Sequence, residues 1–276
     1  MPELSRNEKS HLVIIGGAED KSGECEILKR FFSLAGGRKA DICVISTAST
    51  NPETGAQYRD IFTDFGAANV SLLAIQSREE ANQPHYRSSF AEKTGIFLTG
   101  GDQLRITGIL GGSVLGQAMQ ESYRQGAVVA GTSAGASAMS TTMLVGGVDE
   151  ATPSKEIIRM APGLGLLSDV VVDQHFAQRG RIGRLLAAIA HNPYIQGVGI
   201  DEDTAIVISG GSVCEVIGTG TVAILDGRQS RHSNVSESSP RQPLALTDVK
   251  LHILCKGYRY DLQKRLVSIP QVKEDI

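Results

Sequence analysis

The stretch Ala127-Val128-Val129-Ala130-Gly131-Thr132-Ser133-Ala134-Gly135-Ala136 decides the fold. Its first four residues are apolar and small or β-branched, with no polar break, the pattern of a strand buried on both faces. They run directly into Gly-x-Ser-x-Gly, and small residues continue over 136–139, so the stretch reads as strand, tight turn and helix start. Outward from this point the same alternation repeats. Strands are predicted over 12–15, 41–46, 69–75 and 95–98, and helices over 24–34, 57–65, 103–110 and 116–124. In the helix over 24–34, Ile27, Leu28, Phe31 and Phe32 fall on one side. Strand–helix alternation with unbroken apolar strands predicts an α/β fold, a mostly parallel sheet with helices on both faces.

After residue 205 the texture changes. Short strands over 205–209, 213–217 and 221–225 are separated by Gly-bearing turns and read as an antiparallel C-terminal meander. Residues 230–243 are rich in Ser, Arg and Pro and read as an exposed loop. Residues 249–255 and 258–262 suggest a last hairpin. No linker poor in apolar residues divides the chain, so 1–276 is read as a single α/β domain, with its core over about 11–226 and C-terminal strands over 205–276.

A chain of 276 residues buries a substantial core without disulfide or metal staples. A net charge of -3 argues against bulk nucleic-acid binding. The first ten residues lack the apolar stretch of a secretory signal, and no apolar run approaches the length of a membrane span. A cytoplasmic protein with no membrane or nucleic-acid partner is expected. The four cysteines (Cys25, Cys43, Cys214 and Cys255) show no CxxC or Cys/His ligand spacing, so no metal site and no cofactor is expected, and a reducing compartment fits.

In parallel α/β sheets, sites lie at the carboxyl ends of the strands. Gly16-Gly17, Gly100-Gly101 and Gly131 to Gly135 each follow a strand and should meet at that edge. Gly-x-Ser-x-Gly at a strand-to-helix turn is the nucleophile elbow, in which strained backbone pushes Ser133 outward. The N–H groups of Ala134 and Gly101 are the expected oxyanion donors. A glycine-rich turn that only packs against a neighbour, or binds phosphate, is the competing reading; no Lys follows in the P-loop position. Among the six histidines, His175 follows the apolar run Val170-Val171-Val172 and is therefore placed on the edge that carries Ser133. Glu202, after the short strand over 197–200, is the first choice for the carboxylate that orients the imidazole, with Asp149 and Glu150 as the rival. Arg179, Arg181 and Arg184 follow His175 and suit bidentate capture of carboxylates, while Asp173 suits a cation. The alternative is a solvated basic helix start. Gln103 either binds a substrate group or caps its helix. Gly16-Gly17-Ala18-Glu19-Asp20 lacks the spacing of a nucleotide site.

Several of these runs together resemble the serine peptidase family that holds the cyanophycinases and the aspartyl dipeptidases. They are Gly16 to Asp20, Thr99-Gly100-Gly101-Asp102-Gln103, Gly131 to Ala136, Asp173-Gln174-His175-Phe176 with Arg179-Gly180-Arg181, and Gly199-Ile200-Asp201-Glu202. The resemblance spans roughly residues 12–225. It implies a fold similar to class I glutamine amidotransferases and a homodimer. It also implies hydrolysis of the polymer cyanophycin, a polyaspartate with arginine on each β-carboxyl, to β-aspartyl-arginine dipeptides. It makes Ser133 the nucleophile, His175 the base and Glu202 the orienter, with Gln103, Asp173, Gln174, Arg179, Arg181 and Arg184 lining the substrate pocket. An α-aspartyl dipeptidase and a non-catalytic binding protein of the same fold are the alternatives. A glutamine amidotransferase would carry cysteine where Ser133 stands.

Overall fold

In the computed structural model, which describes residues 10–146 and 152–270, the chain runs β1 (His11–Ile15), α1 (Glu26–Leu34), β2 (Asp41–Ile45), α2 (Pro52–Asp64), β3 (Asn69–Leu73), α3 (Arg78–Ala81), β4 (Gly95–Leu98), α4 (Gln103–Leu110), α5 (Val114–Gln125), β5 (Val128–Thr132), α6 (Ala134–Ala138), β6 (Thr142–Gly146), β7 (Arg159–Pro162), β8 (Val170–Gln174), α7 (Ile182–His191), β9 (Gln196–Ile200), β10 (Thr204–Ser209), β11 (Val213–Gly218), β12 (Val222–Asp226), β13 (Lys250–Leu254), β14 (Arg259–Asp261) and β15 (Leu266–Ser268).

The apolar strands assemble into a nine-stranded sheet in the order β15-β14-β11-β10-β1-β5-β4-β2-β3. From β1 through β5, β4 and β2 to β3 every pairing is parallel. This half carries the carboxyl-end loops that the sequence brings to one edge. Successive residues of β1 feed opposite cores. Val13 and Ile15 pack with Ile27, Leu28 and Phe31 of α1 and Phe62 of α2. Leu12 and Ile14 pack with Ile106 of α4 and Leu115 and Met119 of α5. Phe97 of β4 lies edge-on to Phe31 and Phe62 and tilted against Tyr58. Burial of each such side chain contributes roughly 1.5–3 kcal/mol.

Local chemistry sets the helix ends. Asp102 caps α4 by accepting from the Leu104 and Arg105 N–H groups, and Ser113 caps α5 by accepting from Gly116. Gly126 ends α5 at φ 113, a left-handed backbone that favours glycine.

The C-terminal part departs from the sequence reading. β10 and β11 extend the main sheet antiparallel beyond β1, as the meander requires. β12 does not join them. It pairs antiparallel with β9 and β13 in a second sheet ordered β13-β12-β9-β8. The crossing is made at Gly218, which has φ 96 and whose missing Cβ would fall 2.2 Å from the Asp203 carbonyl oxygen. The last hairpin also does not form. β13 belongs to the second sheet, whereas β14 pairs with β11 and β15 in the first. Strand periodicity alone carries no information about which sheet a strand joins. Residues 230–243 contain no helix or strand and are held by isolated bridges, Ser154 to Pro243 and Ser233 to Leu246. An antiparallel β6–β7 ribbon was not predicted.

Candidate active site

The turn after β5 has no space for side chains at the positions two before and two after its serine. A Cβ at Gly131 would lie 2.6 Å from the backbone of Gly135, and one at Gly135 would lie 2.4 Å from the Leu98 carbonyl oxygen. Between them Ser133 takes φ 52 and ψ -114, a strained conformation that costs on the order of 1–3 kcal/mol and persists only where its surroundings enforce it. The two glycines of Gly-x-Ser-x-Gly thus permit the turn, and the serine bears its strain.

Ser133 Oγ lies 3.0 Å from His175 Nε2, and His175 Nδ1 lies 2.6 Å from Glu202 Oε1. A carboxylate only accepts, so Nδ1 carries the proton and Nε2 is left free to accept from the serine hydroxyl. The three side chains form one chain of hydrogen bonds capable of drawing a proton off Ser133.

The supporting backbone is continuous. The Ser133 N–H donates to the Ile15 carbonyl at 3.0 Å, the His175 N–H to Gly16 at 2.9 Å, and the Asp203 N–H to Gly17 at 2.9 Å. His175 itself has φ 48. Phe176, next to it, lies over Gly199, where a Cβ would meet its ring at 2.4 Å. Asp201, buried, accepts from the Ala177 N–H at 3.0 Å and from both the N–H and the hydroxyl of Thr221 at 3.0 and 2.7 Å. The Glu202 N–H donates to Gln178 Oε1 at 3.1 Å. These contacts hold the base and its carboxylate on the second sheet against the nucleophile on the first.

The turn after β4 stands beside the elbow: a Cβ on Gly100 would fall 3.3 Å from Ser133 Cβ and 3.8 Å from its Oγ. Gly101 has φ 142 and its space for a Cβ is filled by the Ala48 carbonyl, so only glycine fits. Ala134 is the first residue of α6, where N–H groups have no intrahelical partner.

The residues expected to line the substrate pocket are placed unequally. Gln103 is half-buried and donates to the Leu144 carbonyl at 3.0 Å. Asp173 has 0% exposure and is held bidentately by Arg184, with Nε at 2.6 Å from Oδ2 and Nη2 on Oδ1. Arg181 reaches the same carboxylate at 3.4 Å and Gln174 Oε1 at 3.1 Å. Arg181 and Arg184 are only 5% and 4% exposed. Asp173, Arg181 and Arg184, expected to line the substrate pocket, are thus paired with one another inside the protein. Buried charges must be paired, and these satisfy one another within the protein, with Gln174 as a further acceptor. Arg179 alone of the three arginines is exposed, on the turn that follows His175. Asp149 and Glu150 lie outside the described residues. Among the described residues no group of His, Cys, Asp and Glu could hold a metal ion, and no helix is long and apolar enough to cross a membrane.

Sequence reasoning gave no role to several residues around the site: Asp201, Gln178, and a buried group formed by Glu19, Tyr58 and Thr132. The Tyr58 hydroxyl donates to Glu19 Oε1, and the Thr132 hydroxyl donates to Glu19 Oε2 at 2.7 Å. Burial, together with the adjacent Glu19, pushes the Tyr58 phenol far above its ordinary range, so it remains a donor. The only available signal was an acidic pair placed directly after the apolar strand and its Gly-Gly turn.

A model of peptidase family S51 matches residues 12–216. A cyanophycinase of Trichormus variabilis is 42% identical over 261 residues, covering 94% of this chain and 88% of that protein. A cyanophycinase of Nostoc sp. is 41% identical over the same shares. A peptidase from an acI-B1 actinobacterium has a similar fold, with a TM-score of 0.67 at 22% identity, covering 91% of this chain and 96% of that one.

Proposed function

The chain belongs to peptidase family S51, and from this premise we propose that it is a serine exopeptidase that degrades cyanophycin to β-aspartyl-arginine dipeptides. The observation that carries the catalytic reading is the hydrogen-bonded series from Ser133 Oγ through His175 to Glu202. Ser133 Oγ attacks the scissile carbonyl while His175 Nε2 takes its proton, and Glu202 stabilises the resulting imidazolium. The N–H groups of Ala134 and Gly101 receive the oxyanion. The imidazolium then returns the proton to the leaving amine, and a water molecule, activated by the same histidine, hydrolyses the acyl-enzyme.

Gln103 and the exposed Arg179 contact the substrate, Arg179 by pairing with its carboxylates. The buried set Asp173, Gln174, Arg181 and Arg184 supports the wall behind them. Four free cysteines, three of them buried, fit a reducing cytoplasm. A homodimer completes the reading; Leu251 and Ile253, exposed on the edge strand β13, offer apolar surface that a second copy would cover.

The test is incubation of the purified protein with insoluble cyanophycin and, separately, with α-aspartyl dipeptides, with products identified by mass. Release of β-aspartyl-arginine that disappears in Ser133→Ala is the expected result. Turnover of the dipeptides alone would make the protein an α-aspartyl dipeptidase, and turnover of neither by the folded protein would make it a binding protein.

A further inference from the structure

We propose that Glu19 is a positioning residue for the Ser133 nucleophile, acting through Thr132 and anchored by Tyr58; the role rests on the serine-peptidase reading above. The Glu19 side chain has 0% exposure, yet it takes no part in the proton-transfer chain. A carboxylate is costly to bury unless its oxygens are satisfied. Here both are: Oε1 accepts from the Tyr58 hydroxyl of α2, Oε2 accepts from the Thr132 hydroxyl, and Lys21 Nζ lies 3.7 Å from Oε1. If stability alone were at stake, apolar side chains of similar volume would serve at least as well. What the carboxylate adds is a fixed direction.

That direction matters because Thr132 immediately precedes the strained serine. The conformation of Ser133 survives only if its neighbours over-determine it. The Thr132 backbone is already set by its register with Ile15, and Glu19 fixes its side chain as well. The segment that delivers Glu19 is also the segment on which the whole triad is registered. Ile15, Gly16 and Gly17 present consecutive carbonyls to the N–H groups of Ser133, His175 and Asp203, the last of these beside Glu202. Fastening Glu19 to Thr132 and to Tyr58 therefore holds one short loop against β5 and α2, and that loop sets the relative positions of nucleophile, base and carboxylate. The run Gly16 to Asp20, which fits no nucleotide-binding spacing, acquires a function in this way.

The experiment compares wild type with Glu19→Ala, Thr132→Val and Thr132→Ser. It measures kcat and KM on cyanophycin, the second-order rate of Ser133 phosphonylation by an alkyl fluorophosphonate (fluoride leaving), and thermal unfolding. The phosphonylating agent needs a correctly placed serine but none of the substrate pocket. Glu19→Ala and Thr132→Val are expected to lower kcat and the phosphonylation rate together by roughly 10–100-fold, since misplacement of about 1 Å costs about 10²-fold, with KM changed less than threefold. Thr132→Ser, which keeps the hydroxyl, is expected to retain both rates. Phosphonylation and kcat within twofold of wild type in folded Glu19→Ala or Thr132→Val would overturn the proposal, because a purely stabilising contact lowers the unfolding temperature without moving either rate. Should Glu19→Ala fail to fold, the isosteric Thr132→Val and its comparison with Thr132→Ser decide alone. Wild type that is phosphonylated at Ser133 but leaves cyanophycin intact would sink the substrate reading and leave the phosphonylation rates to judge Glu19. Phosphonylation that persists in Ser133→Ala would sink both.

Discussion

Gly17 lies against the imidazole of His175 so closely that a Cβ at position 17 would fall 2.4 Å from Cε1 and 2.5 Å from Nε2. Nε2 is the atom that faces Ser133 Oγ. Gly17 also has φ 98, where any other residue is strained. Gly17→Ala should therefore cost on the order of 1–3 kcal/mol of stability. It should also push the ring off the serine, lowering kcat about 10²-fold or more with a smaller change in KM. Steady-state kinetics checks this; activity within threefold of wild type would mean the ring is not held by this contact.

The bidentate Arg184–Asp173 pair makes a second prediction. Removing one member of a buried ion pair leaves an uncompensated charge and costs about 3–5 kcal/mol. Asp173→Ala and Arg184→Ala should each lose stability of that order in urea unfolding. If either instead raises KM tenfold at unchanged stability, the residue is a substrate contact and the structural role is wrong.

Much of the site was legible because its residues sit where strands end. Ser133, Gly16-Gly17 and Gly100-Gly101 follow strands of one parallel sheet, whose topology brings these ends together without further information; His175, expected on that same edge, instead follows β8 of the second sheet, and its meeting with Ser133 depends on how the two sheets pack. Sequence spacing could not show which way side chains turn. Arg179, Arg181 and Arg184 read alike as a basic cluster, but Arg181 and Arg184 turn inward to Asp173 while Arg179 stays outside. Nor could it show that β12 leaves β11 for the second sheet, since hydrophobic pattern does not say which sheet a strand joins. Glu19 stands in the run Gly16 to Asp20, but its role was hidden for the same reason: its partners Tyr58 and Thr132 are distant in sequence and meet only in the folded chain.

Thiol chemistry gives a third prediction. Burial pushes the Cys43 thiol up to about 11 and the Cys214 thiol up to about 12, and Cys25 is also buried and raised. The thiolate is the reactive form, so at pH 8 Cys43 and Cys214 carry almost none and burial disfavours it at Cys25, whereas Cys255 is exposed. Iodoacetamide on the native protein should modify Cys255 first, and Cys255→Ser should abolish the fast phase. Raising the pH toward 10 increases the thiolate fraction and should accelerate the slow phase. A fast phase that survives Cys255→Ser would show that one of the buried sites opens readily.

Glu202 gives the last prediction, and its exposure sets the size of the effect. Its side chain is 39% exposed, so water screens part of the attraction between its carboxylate and the imidazolium that forms on His175. A buried orienting carboxylate in such a triad accounts for about 10⁴-fold in turnover; a half-exposed one should fall below that, about 10²–10³-fold. Glu202→Gln should show this loss in kcat with the fold intact, because the amide can occupy the same space but supplies no charge and can hold the imidazole in the wrong tautomer. Asp201→Asn should behave differently. Asp201 accepts from Ala177 and Thr221 and touches no reacting group, so its loss should appear first in thermal stability. If Glu202→Gln keeps kcat within threefold while Glu150→Gln loses it, the orienting carboxylate is Glu150, and the 2.6 Å contact between His175 and Glu202 does not serve catalysis.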